Sequence, residues 1–244
     1  MKIVGIIPAR LAATRLPDKP LLDICGKPMI QRVWERVSEA DCLDAVLVAT
    51  PDERIYRSVE SFGGNAVLTS SEHRSGTDRL AEVAASLDAD VIVNVQGDEP
   101  LIEPANIVSA VEPVAADASI VMTSLMCVCP PEERDNPATV KVVCDLKSDA
   151  LYFSRSRIPF PRGDDAQVMQ HIGLYAYRRD FLLEFASLPQ TTMELAESLE
   201  QLRVLEHGYS IRMVEVGNPP LSVDTPEDLE RVRKIILGRD IKSG

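Results

Sequence analysis

The 244-residue chain reads as an α/β fold: a mostly parallel sheet flanked by helices, with a β arm inserted in the second half. Two observations lead there. Runs at 2–8, 45–49, 65–68 and 91–96 read as strands, and stretches near 28–40, 51–61 and 77–87 read as helices between them. Alternation of this kind makes βαβ units, whose crossovers leave the strands parallel. At 45% hydrophobic and 26% charged residues, a chain of this length has the material for a full core.

Taken in order, Ile3-Val4-Gly5-Ile6-Ile7 is a strand buried on both faces and closed by Pro8. Thr50-Pro51-Asp52-Glu53 reads as a helix start: a hydroxyl cap, proline in the first turn and an acid three residues on. Thr77 can cap the following helix through its hydroxyl. The pattern then changes. Segments 119–129, 139–145, 150–153 and 170–178 read as strands without clear helices between them. Ser154–Gln167, rich in Arg and Pro, reads as an arm, a lid or a dimer contact. Helices return at about 192–206 and 226–237. In the latter, Thr225 caps, Pro226 starts the turn, Asp228 can close a capping box, and Leu229, Val232 and Ile236 form the buried stripe. With neither an internal repeat nor a low-complexity linker, the chain reads as one continuous domain over 1–244. Its parts are a first half of about 1–118, the β arm of about 119–180, and closing helices over 181–244.

Net charge narrows the function. With 38 acidic against 26 basic residues the formal charge is -12, which argues against general binding of nucleic acid or anionic membrane. No apolar stretch approaches the roughly 18–20 residues that span a bilayer. Arg10 and Arg15 follow the first apolar run, which is not the layout of a signal peptide, so a cytoplasmic protein is expected. Five cysteines are scattered, and the Cys127-Val128-Cys129 spacing fits neither a zinc knuckle nor a redox pair, so reduced thiols are expected.

Against that acidity, residues 1–36 hold seven Lys and Arg but only three acids. Arg10, Arg15 and Lys19, at spacings of five and four, follow the first strand, where open α/β sheets bind ligands. Ala9, Ala12 and Ala13 leave room beside the backbone. A nucleoside triphosphate suits such a loop, since Arg offers planar forks to phosphate oxygens and Lys a point charge; a solvated surface loop is the plain alternative. The strand at 91–95 delivers Gln96, Gly97 and Asp98 to the same edge. Asp98 there is either a Mg²⁺ ligand or a turn residue near Pro100. Asp224 is either a second ligand or a helix-entry residue. Two carboxylates beside a cationic phosphate loop make the minimum set for metal-assisted phosphoryl chemistry. Ser75-Gly76-Thr77, ahead of Arg79, either presents backbone N–H groups to a base or sugar hydroxyl or simply caps a helix.

GIIPARLAATRLPDKPL, SGTDRL, VNVQGDEPLI, ALYFSR, HIGLYAYR, LEQLRVLEHG and VDTPEDLERV together resemble the bacterial CMP-Kdo synthetases, the 3-deoxy-manno-octulosonate cytidylyltransferases. The match runs from residue 3 to about 235. The resemblance implies a fold like that of nucleotide-diphospho-sugar transferases, a homodimer, and CTP and an acidic eight-carbon sugar as substrates. It carries triphosphate binding onto Arg10, Arg15 and Lys19, and cytosine and ribose binding onto Ser75, Gly76, Thr77 and Arg79 with Gln96 and Gly97 nearby. Asp98 and Asp224 become Mg²⁺ ligands. The sugar acid would meet Arg155, His171, Tyr175, Glu200 and Gln201. Arg10, Lys19, Asp98 and Asp224 would be the catalytic set. Glu194, Glu197 and Gln201 would share one helix face by the 3.6-residue period.

The implied reaction gives CMP-Kdo and pyrophosphate, activating the sugar for lipopolysaccharide biosynthesis. A related sugar such as 8-amino-Kdo, or a non-catalytic CTP-binding regulator, are the alternatives. The chain departs from the family pattern at Asp18, where glycine is usual, at Arg157, at Ser222 and at Met193. None of these removes a functional group, and Arg157 bears on which sugar is used.

Overall fold

The computed structural model describes residues 1–11, 16–73, 75–163, 167–217 and 219–240. The chain forms two compact units, one of residues 1–108 with 220–244 and one of residues 109–219. In chain order the elements are β1 Ile3–Pro8, β2 Asp23–Ile24, β3 Lys27–Pro28, α1 Met29–Ser38, β4 Ala45–Thr50, α2 Glu53–Ser61, β5 Asn65–Leu68, α3 Gly76–Ala85 and β6 Val91–Asn94. There follow α4 Pro104–Ala116, β7 Met122–Val128, β8 Lys141–Cys144, β9 Ala150–Ser154, β10 Met169–Arg178 and α5 Arg179–Ser187. Last come α6 Thr192–Glu197, α7 Gln201–Glu206, β11 Arg212–Glu215 and α8 Pro226–Asp240.

In the first unit β1 lies between β4 and β6, and β5 extends the far side of β4; all three pairings are parallel. Strands β1, β4 and β6 hold the core, with Ile6, Ile7, Val48, Ala49, Ile92 and Val93 each fully enclosed, whereas β5 at the sheet edge has no buried residue and leaves Leu68 49% exposed. Helix stripes complete the core, Ile30, Val33 and Val37 from α1, Ile55 and Val59 from α2, and Leu80, Val83 and Ala84 from α3. Burying a side chain of this kind is worth about 1.5–3 kcal/mol, so this layer is the main source of stability.

Two helix starts differ from expectation. Thr50 ends β4, and its hydroxyl accepts from the Asp52 N–H at 3.1 Å rather than capping α2, whose N-cap is Asp52. Helix α3 is capped by Ser75, with Asp78 closing the box, while Thr77 is buried inside the first turn. The expected box at α8 is present: Asp228 N–H donates to Thr225 Oγ1 at 3.2 Å, and Thr225 N–H donates back to Asp228 Oδ2 at 2.9 Å.

In the second unit β7 pairs in parallel with β11 and antiparallel with β10; β10 also pairs antiparallel with β8, and β8 with β9. Helices α4 and α5 and strand β11 are not among the individual elements expected from the sequence, and β11 interrupts the stretch read as closing helices. Pro113 inside α4 argues against a helix, since proline removes a donor, and α5 follows β10 without a turn residue. The helix expected over 192–206 divides into α6 and α7 at Ser198, whose φ of 51° is left-handed. Glu194, Glu197 and Gln201 therefore do not lie on one continuous helix face.

All five cysteines are free thiols, with burial raising Cys127 and Cys144 to about 11. No helix among the described residues is long and apolar enough to cross a membrane.

Candidate active site

The first unit gathers its candidate residues at the carboxyl ends of β1 and β6. Past β1, Ala9 N–H donates to Ala49 O at 2.9 Å and Leu11 N–H to Asp52 Oδ2 at 2.8 Å, so the loop leaves the sheet along a fixed path with Arg10 exposed between these anchors. Arg15, expected in this loop, lies outside the described residues. The loop returns through Asp18, whose φ of 54° is left-handed, a conformation that glycine adopts freely. Asp tolerates this conformation better than most residues, and its carboxylate meets both terminal nitrogens of Arg54 at 3.1 and 2.9 Å.

Lys19 sits next in the chain and joins the two acids. Its Nζ donates to Asp98 Oδ2 at 2.7 Å and to Asp224 Oδ1 at 3.0 Å, and its side chain is only 13% exposed. Burial works against the ammonium, but the Asp98 and Asp224 carboxylates outweigh it, and the Lys19 pKa is raised. The two acids are 126 residues apart in sequence, since 224 − 98 = 126. Their approach is fixed in the backbone, where Val223 N–H donates to Asp98 O at 2.9 Å.

Gly97 is there for close approach. A Cβ at this position would lie 2.9 Å from Pro8 O and 3.5 Å from Ile7 Cγ2, so only glycine lets the loop lie on the end of β1. The neighbouring Glu99 is buried, with Oε2 lacking a hydrogen-bond partner among the described residues. Burial, and then the charge of Asp98, push its pKa up to about 8.

At the start of α3, Ser75 Oγ accepts from Asp78 N–H at 3.1 Å, and Asp78 Oδ2 accepts from Ser75 N–H at 3.2 Å. Gly76 is less constrained than Gly97, since an added Cβ would meet Pro8 Cγ only at 3.7 Å. Arg79 is buried and donates to Thr69 Oγ1 and, at 3.1 Å, to Ser70 O. Burial lowers its pKa, and the charge of Arg10 lowers it further. Two guanidinium groups close enough to repel each other make a region of positive potential suited to an anion.

The second unit holds the other expected residues. His171 packs edge-on to Phe153 with ring centroids 5.0 Å apart, and tilted against Tyr175 at 5.5 Å. Burial lowers its pKa to about 3, so the imidazole is neutral at physiological pH. The Tyr175 hydroxyl is raised by burial and then by the charge of Glu200. Glu200 caps α7 and accepts from Arg203 at 3.4 Å. Gln201 follows it, buried, and its Nε2 has no hydrogen-bond partner among the described residues.

Arg155 is held from several sides. Its Nε donates to Glu197 O at 2.8 Å and its terminal nitrogens to Pro137 O at 3.1 Å and Ser198 O at 3.3 Å, while its backbone N–H donates to Glu197 Oε2 at 2.9 Å. Three of the five guanidinium N–H donors are engaged, which leaves two. Ser154 Oγ adds a 2.6 Å bond to Glu197 Oε1. Lys141, fully buried, donates to the carbonyls of Asn136 at 2.9 Å, Thr139 at 2.5 Å and Arg155 at 2.5 Å. Glu194 and Arg203 form a buried ion pair behind Glu200, with Arg203 over the Phe185 ring.

Asp52, Glu99, Lys141 and Arg203 support these clusters and were not singled out as site residues in the sequence, where Glu197 entered only as part of a polar helix face. Glu99 adjoins a recognised acid, and a charge so close to the end of a buried strand was a usable signal. The others act through contacts more distant in sequence.

Comparison with known proteins places this geometry. Residues 4–212 match the family model described as cytidylyltransferase. A protein of Geobacter metallireducens named 3-deoxy-manno-octulosonate cytidylyltransferase is 54% identical, over 95% of this chain and 96% of its own. One of the same name from Syntrophotalea carbinolica is 52% identical, over 98% and 100%. Among solved structures, one titled as CMP:2-keto-3-deoxy-manno-octonic acid synthetase complexed with CTP superposes with a TM-score of 0.95 at 46% identity, covering 98% of this chain and 100% of that one. A 4-diphosphocytidyl-2C-methyl-D-erythritol synthase from Anaerococcus prevotii, 12% identical with a TM-score of 0.64 over 97% and 98%, shares the fold alone.

Proposed function

This chain belongs to the 3-deoxy-manno-octulosonate cytidylyltransferase family, and we propose that it transfers CMP from CTP to the anomeric 2-hydroxyl of 3-deoxy-D-manno-octulosonate (Kdo), releasing pyrophosphate. The activated sugar would serve lipopolysaccharide biosynthesis. One observation in the structure carries the reading furthest: Lys19 held between Asp98 and Asp224, at the end of the loop that carries Arg10.

The sugar oxygen forms a bond to the α-phosphorus as the bond to the β-phosphate oxygen breaks, and the hydroxyl proton passes to solvent. No side-chain nucleophile is required, since positioning and electrostatics carry reactions of this class. Arg10 and Lys19, with Arg15 by family resemblance, neutralise the β and γ phosphates as pyrophosphate leaves. The N–H groups of Ser75, Gly76 and Thr77 open α3 and would receive base or ribose, with Arg79 behind them and Gln96 and Gly97 beside them. Asp98 and Asp224 suit Mg²⁺: they are two hard oxygen donors already arranged about one cation, and Mg²⁺ commonly takes one or two carboxylates plus water and substrate phosphate. When bound, that ion supplies charge neutralisation at the α-phosphate and a lower pKa for the attacking hydroxyl. Arg155, His171, Tyr175, Glu200 and Gln201 hold the sugar, and the unpartnered Gln201 Nε2 supports a polar ligand there.

A homodimer in the cytoplasm completes the proposal. Leu151 at 62% and Phe160 at 80% exposure leave apolar surface in the second unit that a second copy would cover. Light scattering tests the dimer.

The activity test is pyrophosphate release from CTP and Mg²⁺ with Kdo, 8-amino-Kdo or sialic acid, with the product mass checked. Release with Kdo alone is the expected result. Release only with 8-amino-Kdo would reassign the substrate, and CTP binding without turnover on any of the three would make the chain a regulator.

A further inference from the structure

Ser124, on β7, faces a fault in the neighbouring strand. The β7–β10 register runs His171 opposite Met126 and Ile172 opposite Leu125, then jumps to Tyr175 opposite Ser124. The bulge puts two carbonyls beside the buried Ser124 hydroxyl, Ile172 O at 3.1 Å and Leu174 O at 3.0 Å, with His171 Nε2 at 2.9 Å.

A serine hydroxyl has one proton to give and two lone pairs to offer. Carbonyl oxygens only accept, so that proton belongs to Ile172 O and Leu174 O. Were Nε2 unprotonated, it would compete for the same proton, and buried oxygen lone pairs would be left facing one another. An unsatisfied buried acceptor of that kind is costly. The arrangement closes only if Nε2 carries a hydrogen and donates it to Ser124 Oγ.

We propose that Ser124 is a positioning residue that fixes His171 as the Nε2–H tautomer, leaving Nδ1 as an acceptor for a hydroxyl group of the sugar substrate. Nδ1 has no hydrogen-bond partner among the described residues, and the Phe153 and Tyr175 rings hold the imidazole from two sides. Burial keeps the ring uncharged, so it holds one proton and that proton is on Nε2. It follows that His171 does not neutralise the sugar carboxylate. That group falls to a cation, and the two unengaged N–H donors of Arg155 are available. The assignment of the ligand as a sugar rests on the function proposed above; the tautomer does not.

Histidine ¹⁵N NMR on the substrate-free protein reads the tautomer directly, with His171→Asn identifying the signal among the three histidines. The expected result is protonated Nε2 and bare Nδ1 in the wild type, and loss of that preference in Ser124→Ala. In kinetics, Ser124→Ala should raise KM for Kdo about 10-fold, the worth of one oriented hydrogen bond, with KM for CTP held within about two-fold. Ser124→Thr, which keeps the hydroxyl, should restore the tautomer. Protonated Nδ1 in the wild type overturns the proposal without any variant having to fold. An unchanged tautomer in a folded Ser124→Ala overturns it as well. Protonated Nε2 in a protein that turns over none of the sugars would uphold the Ser124 assignment and sink the sugar reading.

Discussion

Lys19 shows how much one residue can reveal once its partners are known. Its ammonium satisfies two carboxylates at hydrogen-bond distance, so the isolated protein stabilises with its own cation a pair of acids that would otherwise repel each other. Asp98 and Asp224 were legible as candidates because each lies beside a strong local signal, just after a buried strand in one case and just before a helix cap in the other. Their meeting was expected from the family resemblance and not from any local pattern; in the fold a backbone bond from Val223 to Asp98 O holds it. Asp98→Asn keeps the shape and removes half of the acid pair. Turnover should fall roughly 10²-fold or more, the usual cost of one transition-state contact. Near-normal turnover, measured by pyrophosphate release, would remove Asp98 from the catalytic set.

Helix starts illustrate the same division at the scale of elements. Periodicity located α1, α2, α3 and α8, because an apolar stripe is a property of a dozen neighbouring residues. Which residue caps each helix depended on single contacts. Ser75→Ala should cost about 1 kcal/mol, the common worth of a cap, read as a lower urea midpoint. Asp52 behaves differently. As the N-cap of α2 its side chain bonds nothing in that helix and instead holds Leu11 N–H in the loop that carries Arg10. Asp52→Ala should therefore leave the urea midpoint nearly unchanged and raise KM for CTP several-fold, on the order of one hydrogen bond. A large fall in stability with an unaltered KM would show that Asp52 serves the helix after all. The division of the helix expected at 192–206 was hidden for a related reason. Only a left-handed residue at Ser198 marks the break, and serine does not advertise that conformation as glycine would.

For the molecule as a whole, two buried titratable groups tilt stability in opposite directions with pH. His171 has a folded pKa of about 3 against 6.5 in the unfolded chain. Above pH 6.5 both states are neutral there, and as pH falls toward 3 the unfolded state takes up the proton first, so stability is lost on the acid side. Glu99 runs the other way, with a folded pKa of about 8 against 4.5. Below pH 4.5 both states hold the proton. As pH rises from 4.5 toward 8 only the unfolded state releases it, so the folded state is the one that binds more protons and stability declines. At roughly 1.4 kcal/mol per pKa unit the ceiling for Glu99 is about 5 kcal/mol. Between pH 4.5 and 6.5 the two slopes partly cancel, and above 6.5 that of Glu99 remains. Glu99→Gln abolishes its slope without emptying the site. In chelator, to keep divalent ions off Asp98, the stability of Glu99→Gln relative to wild type should grow steadily from pH 5 to pH 8 in urea unfolding. Parallel curves across that range would mean that Glu99 is already ionised in the folded protein, and that some group balances the charge the buried carboxyl would then carry.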